Sequence, residues 1–189
     1  RSTLFPYTTL FRSGSWLHEV VASGKGGFES LIEKIPGIKG YKAKEDRRST
    51  DKLVRETVAA RLEEEWARIS ALQRQLLKAG ALGPMGDLES PALKIRQFID
   101  RIRTAAYGYA GLMDAVKVDE AALNQLYDYD LYLFSLVDEV RKRLDTIEAG
   151  IGGPETELNR AIQELTKVAA EMVTAFNRRS EVVQGTVNS

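Results

Sequence analysis

Residues 126–151 read LYDYDLYLFSLVDEVRKRLDTIEAGI, and apolar residues recur in this stretch at alternating steps of four and three. The series consists of Leu126, Leu133, Val137, Val140, Leu144, Ile147 and Ile151, and Asp130 stands at the one position where an apolar residue is missing. An average step of 3.5 residues places the series on one face of an α-helix and is typical of helices that pack as coiled coils do. Because a single helix cannot bury such a face alone, the stretch predicts an assembly of several helices.

Three other segments show the same pattern. They cover 42–79, 91–117 and 154–184, with glycine-rich breaks at 80–86 and 150–153. Their apolar series are Val54, Val58, Leu62, Trp66, Ile69, Leu72 and Leu76 in the first, Ile95, Ile99, Ile102, Ala106, Tyr109, Met113 and Val116 in the second, and Leu158, Ile162, Leu165, Ala169, Met172 and Phe176 in the third. We predict an all-α fold, an elongated antiparallel four-helix bundle with heptad-like packing.

The segments at the two ends of the chain differ from the bundle in composition. Residues 28–35 place four apolar side chains on one face and predict a short N-terminal helix that ends at Pro36-Gly37. Residues 14–27 contain four glycines and predict a flexible linker, and residues 185–189 predict a frayed tail. We expect residues 28–184 to form a single domain.

Residues 3–13 read TLFPYTTLFRS, which looks like the translation of a short-read sequencing adapter in one reading frame. We interpret residues 1–13 as a non-native artefact of gene assembly and leave them out of the fold prediction. The alternative is a genuine N-terminal strand or a short apolar targeting segment. With the artefact removed, the native start of the chain stays open.

Composition excludes several classes of protein. The 189 residues include 27 basic and 27 acidic groups, no cysteine and one histidine. Disulfide scaffolds, thiolate zinc sites, cysteine nucleophiles and any chemistry that needs two histidines are therefore excluded. No run of about 18 apolar residues is present, so the sequence predicts no membrane span. Nucleic-acid binding is disfavoured because the net charge is zero and no recognition motif appears.

An acidic and aromatic cluster surrounds Asp130. Its members include Asp130, Tyr107, Tyr109 and Tyr129, and we expect the tyrosines of two consecutive helices to meet across one helix pair. A carboxylate that faces the core needs a partner, for which Arg103 is the first candidate and a tyrosine hydroxyl the second. The cluster is interpreted as a buried polar contact that fixes helix register, with a small-molecule or catalytic site and a half-exposed partner surface as alternatives.

A basic surface is predicted at the start of the first long helix. It consists of Lys39, Lys42, Lys44, Arg47, Arg48, Lys52 and Arg55. Such a patch could contact lipid phosphates, nucleic acid or an acidic partner, although the acids interleaved with it favour an ordinary solvated face. Next to the apolar helix 28–35 it is typical of an interfacial membrane helix, or of a helix that folds back to cap one end of the bundle.

No metal or catalytic constellation is predicted. Bundle di-iron sites need histidines on two helices, and the single histidine, His18, precedes the bundle. Glu63, Glu64 and Glu65 are expected on polar faces, as are Glu164 and Glu171. We therefore expect no cofactor.

The turn IPGIKGY at 35–41, followed by Lys44-Glu45-Asp46-Arg47-Arg48 and Asp51, resembles the opening of a group of bacterial helical proteins to which no activity is attached. The resemblance implies a bacterial source and draws attention to the turn and basic segment at 36–51. It implies no catalytic residue.

These patterns favour a non-catalytic, cytoplasmic interaction or scaffold protein that binds another protein. The alternatives are peripheral membrane binding through residues 28–55 and a small-molecule site in the tyrosine and aspartate cluster. A homo-oligomer is possible because the heptads of the long helices can extend into a dimer.

Overall fold

A computed structural model gives the structure of the protein and describes Lys34, residues 47–115 and residues 120–185, with side chains at Lys34, 52–105 and 127–180. The described residues form four long helices and one short one. These are α1 (Arg47–Lys78), α2 (Leu82–Asp87), α3 (Glu89–Ala115), α4 (Glu120–Gly150) and α5 (Glu155–Gly185). The prediction of an all-α bundle of four long helices is confirmed, and a helix of 31 residues such as α4 is about 46 Å long.

The core contains the predicted apolar series together with further buried apolar side chains, of which Phe98 of α3 and Phe134 of α4 are the largest that are fully buried. On α4, Leu133, Val140, Leu144 and Ile147 are fully buried, and the whole series of α5 from Leu158 to Phe176 is at most 3% exposed. On α1 the series is buried except for Trp66, which is half-buried and donates its indole N–H to the carbonyl of Ala92 on α3, 3.1 Å away. The heptad spacing therefore identified the buried face of α1, α4 and α5, and that of α3 as far as its side chains are described.

The helices form a ring in which α1 packs against α3 and α4, and α5 packs against the same two helices. Consecutive long helices run in opposite directions, as predicted, whereas the neighbours α1 and α4 are parallel. Glu65 contacts Arg141, and one turn further along both helices Arg68 contacts Asp145. The neighbours α3 and α5 are also parallel, because both run opposite to α4. Within the described residues α3 and α4 therefore lie diagonally across the core.

The predicted tyrosine cluster lies only partly within the described residues. The sequence predicts that Tyr107 and Tyr109 meet the tyrosines at 127 and 129 across one helix pair. The side chains of Tyr107 and Tyr109 lie outside the described residues, so their meeting with Tyr127 and Tyr129 stays a prediction.

The α1–α3 connection begins at Gly80, whose φ of +76° lies in the left-handed region. The amide of Ala81 donates to the carbonyl of Leu76 at 3.0 Å, and the amide of Gly80 donates to that of Leu77 at 3.1 Å. This pair of hydrogen bonds is the Schellman pattern that ends many helices. The sequence predicts a break in helical structure at 80–86. This prediction is partly wrong, because α2 begins at Leu82.

The short N-terminal helix predicted at 28–35 lies outside the described residues except for Lys34, which is helical. The Arg61 guanidinium of α1 donates to the Lys34 carbonyl at 2.8 Å, and Lys34 Nζ lies 3.8 Å from Asp138 of α4. Position 34 is therefore held against the side of the bundle, between α1 and α4. None of the described helices is long and apolar enough to cross a membrane.

Candidate functional site

A buried ion pair joins α4 to α5. Arg179 donates from Nε to Oδ1 of Asp130 at 2.7 Å and from Nη2 to Oδ2 at 3.5 Å. The two side chains are 1% and 4% exposed, respectively. Removing two charges from water is costly, and a pair of this kind is stable only because each charge satisfies the other at hydrogen-bond distance. The expectation that Asp130 faces the core and is paired is confirmed.

The prediction that Arg103 is the partner of Asp130 is wrong. Arg103 is on α3, diagonal to α4, and it donates from Nη1 and Nη2 to the two carboxylate oxygens of Glu63 on α1, both at 2.6 Å. Hydrogen bonding and charge attraction from Arg103 lower the pKa of the Glu63 carboxyl below its ordinary value. Both groups are solvent-exposed, so this bidentate pair belongs to the α1–α3 surface.

Arg179 could have been found in the sequence. The apolar series of α5 ends at Phe176, and the next step of three is position 179. An arginine there interrupts the α5 stripe as Asp130 interrupts the α4 stripe, near the same end of the bundle. Two interruptions of opposite charge on two antiparallel helices are the signal for a buried pair.

A second buried carboxylate was also missed. Glu65 was expected on a polar face, but its side chain is only 3% exposed. It accepts from Arg68 of its own helix and from Arg141 of α4, each at 2.8 Å. Position 65 follows Leu62 by three and precedes Ile69 by four, so it continues the stripe of α1. The indole of Trp66 next to it had been assigned to that place.

A cleft opens on the outer face of α4 and α5, and two of its lining residues, Tyr129 and Arg178, directly precede Asp130 and Arg179 in the sequence. Its volume is about 220 Å³, and it is lined by Tyr129, Tyr132, Ala170, Glu171, Thr174, Ala175 and Arg178. The Tyr132 hydroxyl donates a hydrogen bond to Oε1 of Glu171. Burial, together with this hydrogen bond to a carboxylate, raises the pKa of the Tyr132 phenol well above its ordinary value. Tyr132 is therefore a neutral donor at physiological pH.

The cleft is lined by aromatic, small and charged side chains. Two tyrosines form one wall, and Ala170 and Thr174 are small, exposed residues of α5. Tyrosine and arginine are enriched at protein interfaces because they offer large rigid surfaces with a polar end. Small-molecule pockets usually measure about 300–1,000 Å³. The cleft, at about 220 Å³, is below that range.

The predicted basic surface is only partly within the described residues. Lys39, Lys42 and Lys44 lie outside them, and so do the side chains of Arg47 and Arg48, whose backbone begins α1. Lys52 is exposed and lies 3.7 Å from Glu56 of the same helix. Arg55 is 3% exposed, which corrects its assignment to the surface. It lies one position after Val54 of the apolar stripe.

Carboxylates are dispersed in pairs with cations over the described part of the chain. No group of three or more histidine, aspartate or glutamate side chains within it is placed so that it could hold a metal ion. On the α4–α5 face, Asp130 is paired with Arg179, and Glu171 accepts a hydrogen bond from Tyr132.

Compared with protein-family models, with curated proteins and with solved structures, the chain has no significant match.

Proposed function

We propose that this chain is a non-catalytic helical interaction protein that binds a partner protein through the outer face of α4 and α5. The observation that carries the proposal is the cleft of Tyr129, Tyr132, Glu171 and Arg178 on that face. It combines aromatic surface, one acid and one base with small side chains of α5. A partner helix can place one side chain in such a cleft and pack along α5 on either side.

The neighbouring buried pair supports this proposal by making the face rigid. Asp130 and Arg179 join α4 to α5. Each of them directly follows a residue of the cleft, Tyr129 on α4 and Arg178 on α5. A binding surface that keeps one shape loses less conformational entropy when a partner docks. Asp130 is engaged by Arg179 and Glu171 by Tyr132, so both carboxylates serve as hydrogen-bond acceptors within the fold.

Photo-crosslinking tests the proposal. The photoreactive residue p-benzoylphenylalanine is placed at Thr174, inside the cleft, and separately at Gln75, an exposed position on α1, which is diagonal to α5. In cells of the source organism we expect a discrete protein adduct from Thr174 and none from Gln75. Tyr129→Ala should reduce the adduct several-fold, because it removes one aromatic wall of the cleft.

Two results would contradict the proposal. One is a Thr174 position that yields no protein adduct above that of Gln75. The other is a reproducible turnover activity that Asp130→Asn abolishes while the circular dichroism spectrum and the melting transition show a folded chain.

A further inference from the structure

The cleft face carries two opposite charges in a fixed arrangement along α5. Glu171 and Arg178 are seven residues apart, so they lie two turns apart on the same side of the helix, about 10.5 Å along its axis. The exposed side chain between them, Thr174, is small. A partner that is complementary to both charges presents a cation and an anion at this same spacing and in the opposite order.

We infer that the partner is a second copy of this chain, whose α5 packs antiparallel to the first about a two-fold axis near Thr174 and Ala175. This inference rests on the proposed function and names the occupant of the same face. In an antiparallel pair centred there, Glu171 of each copy lies opposite Arg178 of the other. The spacing matches because both helices have the same sequence, and two-fold symmetry forms the contact twice.

Both charges are available for such a contact. Arg178 takes part in none of the ion pairs among the described side chains. Glu171 is exposed and uses Oε1 for the Tyr132 hydroxyl. Its second oxygen, Oε2, makes no hydrogen bond or ion pair with the described residues. Lys167, one turn before Glu171, is instead engaged by Glu164 at 2.6 Å.

Small side chains allow the two helices to approach closely. Ala170 and Thr174 are exposed on α5, and a helix pair comes within about 8–10 Å only where the facing side chains permit it. Tyr129 is half-buried on α4 and would flank the second copy's α5. The interface would thus have an aromatic edge, a small-residue centre and a reciprocal pair of charges at each end.

Sedimentation velocity of the full chain over a wide concentration range measures the association. We expect a dimer of the unmodified chain. Glu171→Arg and Arg178→Glu should each raise the dissociation constant of the dimer about tenfold or more. Each change replaces two attractive contacts between the copies by two repulsive ones. Arg74→Glu, a charge reversal at an exposed position of α1, is the matched control and should leave the dimer unchanged.

Mixing the two single variants makes the test specific. In the mixture, each arginine at 171 can face a glutamate at 178, and each arginine at 178 can face a glutamate at 171. Glu171→Arg and Arg178→Glu chains should therefore form a heterodimer when mixed, although each alone is largely monomeric. The double variant E171R/R178E should dimerise with itself within a few-fold of the unmodified chain. Circular dichroism melts verify that every variant is folded.

The inference is overturned if the unmodified chain stays monomeric at all concentrations, or if folded single variants dimerise normally. It is also overturned if the mixed variants form no heterodimer. The Thr174 crosslink separates this failure from failure of the proposed function. A monomeric chain whose adduct contains another protein rejects only the second copy, whereas a monomeric chain without any protein adduct rejects both.

Discussion

Asp130 and Arg179 occupy core positions that aliphatic side chains would fill without a desolvation cost. Their pairing is therefore not an efficient source of stability, because replacing a buried ion pair by well-packed apolar residues is often neutral or stabilising. What the pair supplies is selectivity for one alignment. A slip of α4 against α5 by one turn would separate the two buried charges. The desolvation cost of the unpaired charges therefore favours the observed register.

Replacing Asp130 by alanine should lower the free energy of unfolding by about 3–5 kcal/mol, since Arg179 would remain buried and lose its carboxylate. Urea denaturation monitored by circular dichroism measures the change. The double variant Asp130→Leu with Arg179→Met should recover most of the loss because no buried charge is left.

The matched comparison is Arg103→Met, which removes the exposed bidentate pair with Glu63. It should change the urea midpoint far less than Asp130→Ala does, because surface pairs are screened by water. Equal effects of Asp130→Ala and Arg103→Met would contradict the assignment of Arg179 as the partner of Asp130.

At the residue scale the sequence predicted the position of Asp130 in the core but not its partner. Heptad spacing specifies the face of a helix on which a residue lies, and Asp130 falls on the buried face. It does not specify which of three other helices lies opposite, and Arg103 was chosen on the assumption that consecutive helices are neighbours. Arg179 and Glu65 were missed for different reasons. The predicted α5 series ends at Phe176, one step before position 179, and Trp66 occupies the place of Glu65 in the predicted α1 series.

At the scale of the elements, the ends of the helices are set by local chemistry. Gly80 adopts a φ of +76° with open space around its Cα, whereas Gly86 of α2 has an ordinary negative φ and equally open space. The two glycines therefore differ in backbone conformation alone. They provide a direct test of what the left-handed turn requires.

Gly80→Ala should lower the free energy of unfolding by about 1 kcal/mol, because an L-residue is strained by about 1–2 kcal/mol in the left-handed conformation. Gly86→Ala should leave stability unchanged or raise it by about 0.5–1 kcal/mol, as alanine is favoured over glycine within a helix. Urea midpoints of both variants at equal m-values decide the matter. If Gly80→Ala were as stable as Gly86→Ala, the Schellman turn would not require glycine at position 80.

The helices themselves were the most predictable feature. In α5 the predicted series is buried from Leu158 to Phe176, and the acids of its first turn, Glu155 and Glu157, suit the positive end of the helix dipole. The short helix α2 was not predicted, because its sequence LGPMGD is rich in residues that usually break helices. Tertiary contact compensates, since Pro84 is buried within the bundle.

At the scale of the whole molecule, the diagonal placement of α3 and α4 has consequences for every interhelical contact. Stripe patterns are nearly the same in all four helices, so they permit either a simple ring of antiparallel neighbours or the observed order. Specific polar contacts distinguish the two arrangements. Arg68 of α1 contacts Asp145 and Glu148 of α4 at 2.7 and 3.2 Å, which requires α1 and α4 to be neighbours.

Cysteine crosslinking tests this order, and the chain contains no native cysteine that would interfere. The variant with Arg68→Cys and Asp145→Cys joins α1 to α4, whereas Arg68→Cys with Gln163→Cys joins α1 to an exposed position of α5 at a similar height. Neighbouring helix axes are about 8–10 Å apart, and outer side chains of diagonal helices point to opposite sides of the bundle. A short bismaleimide should therefore crosslink the first pair rapidly and the second pair poorly.

A simple ring of antiparallel neighbours would give the reverse result, because α1 would then adjoin α5 and lie diagonal to α4. The two cysteine pairs share position 68, so differences in the reactivity of that thiol cancel between them. Intramolecular products are separated by size from the crosslinked dimers that the α5 face would form. Efficient crosslinking of positions 68 and 163 within one chain would thus reject the parallel pairing of α1 and α4, and with it the explanation of why Arg103 does not reach Asp130.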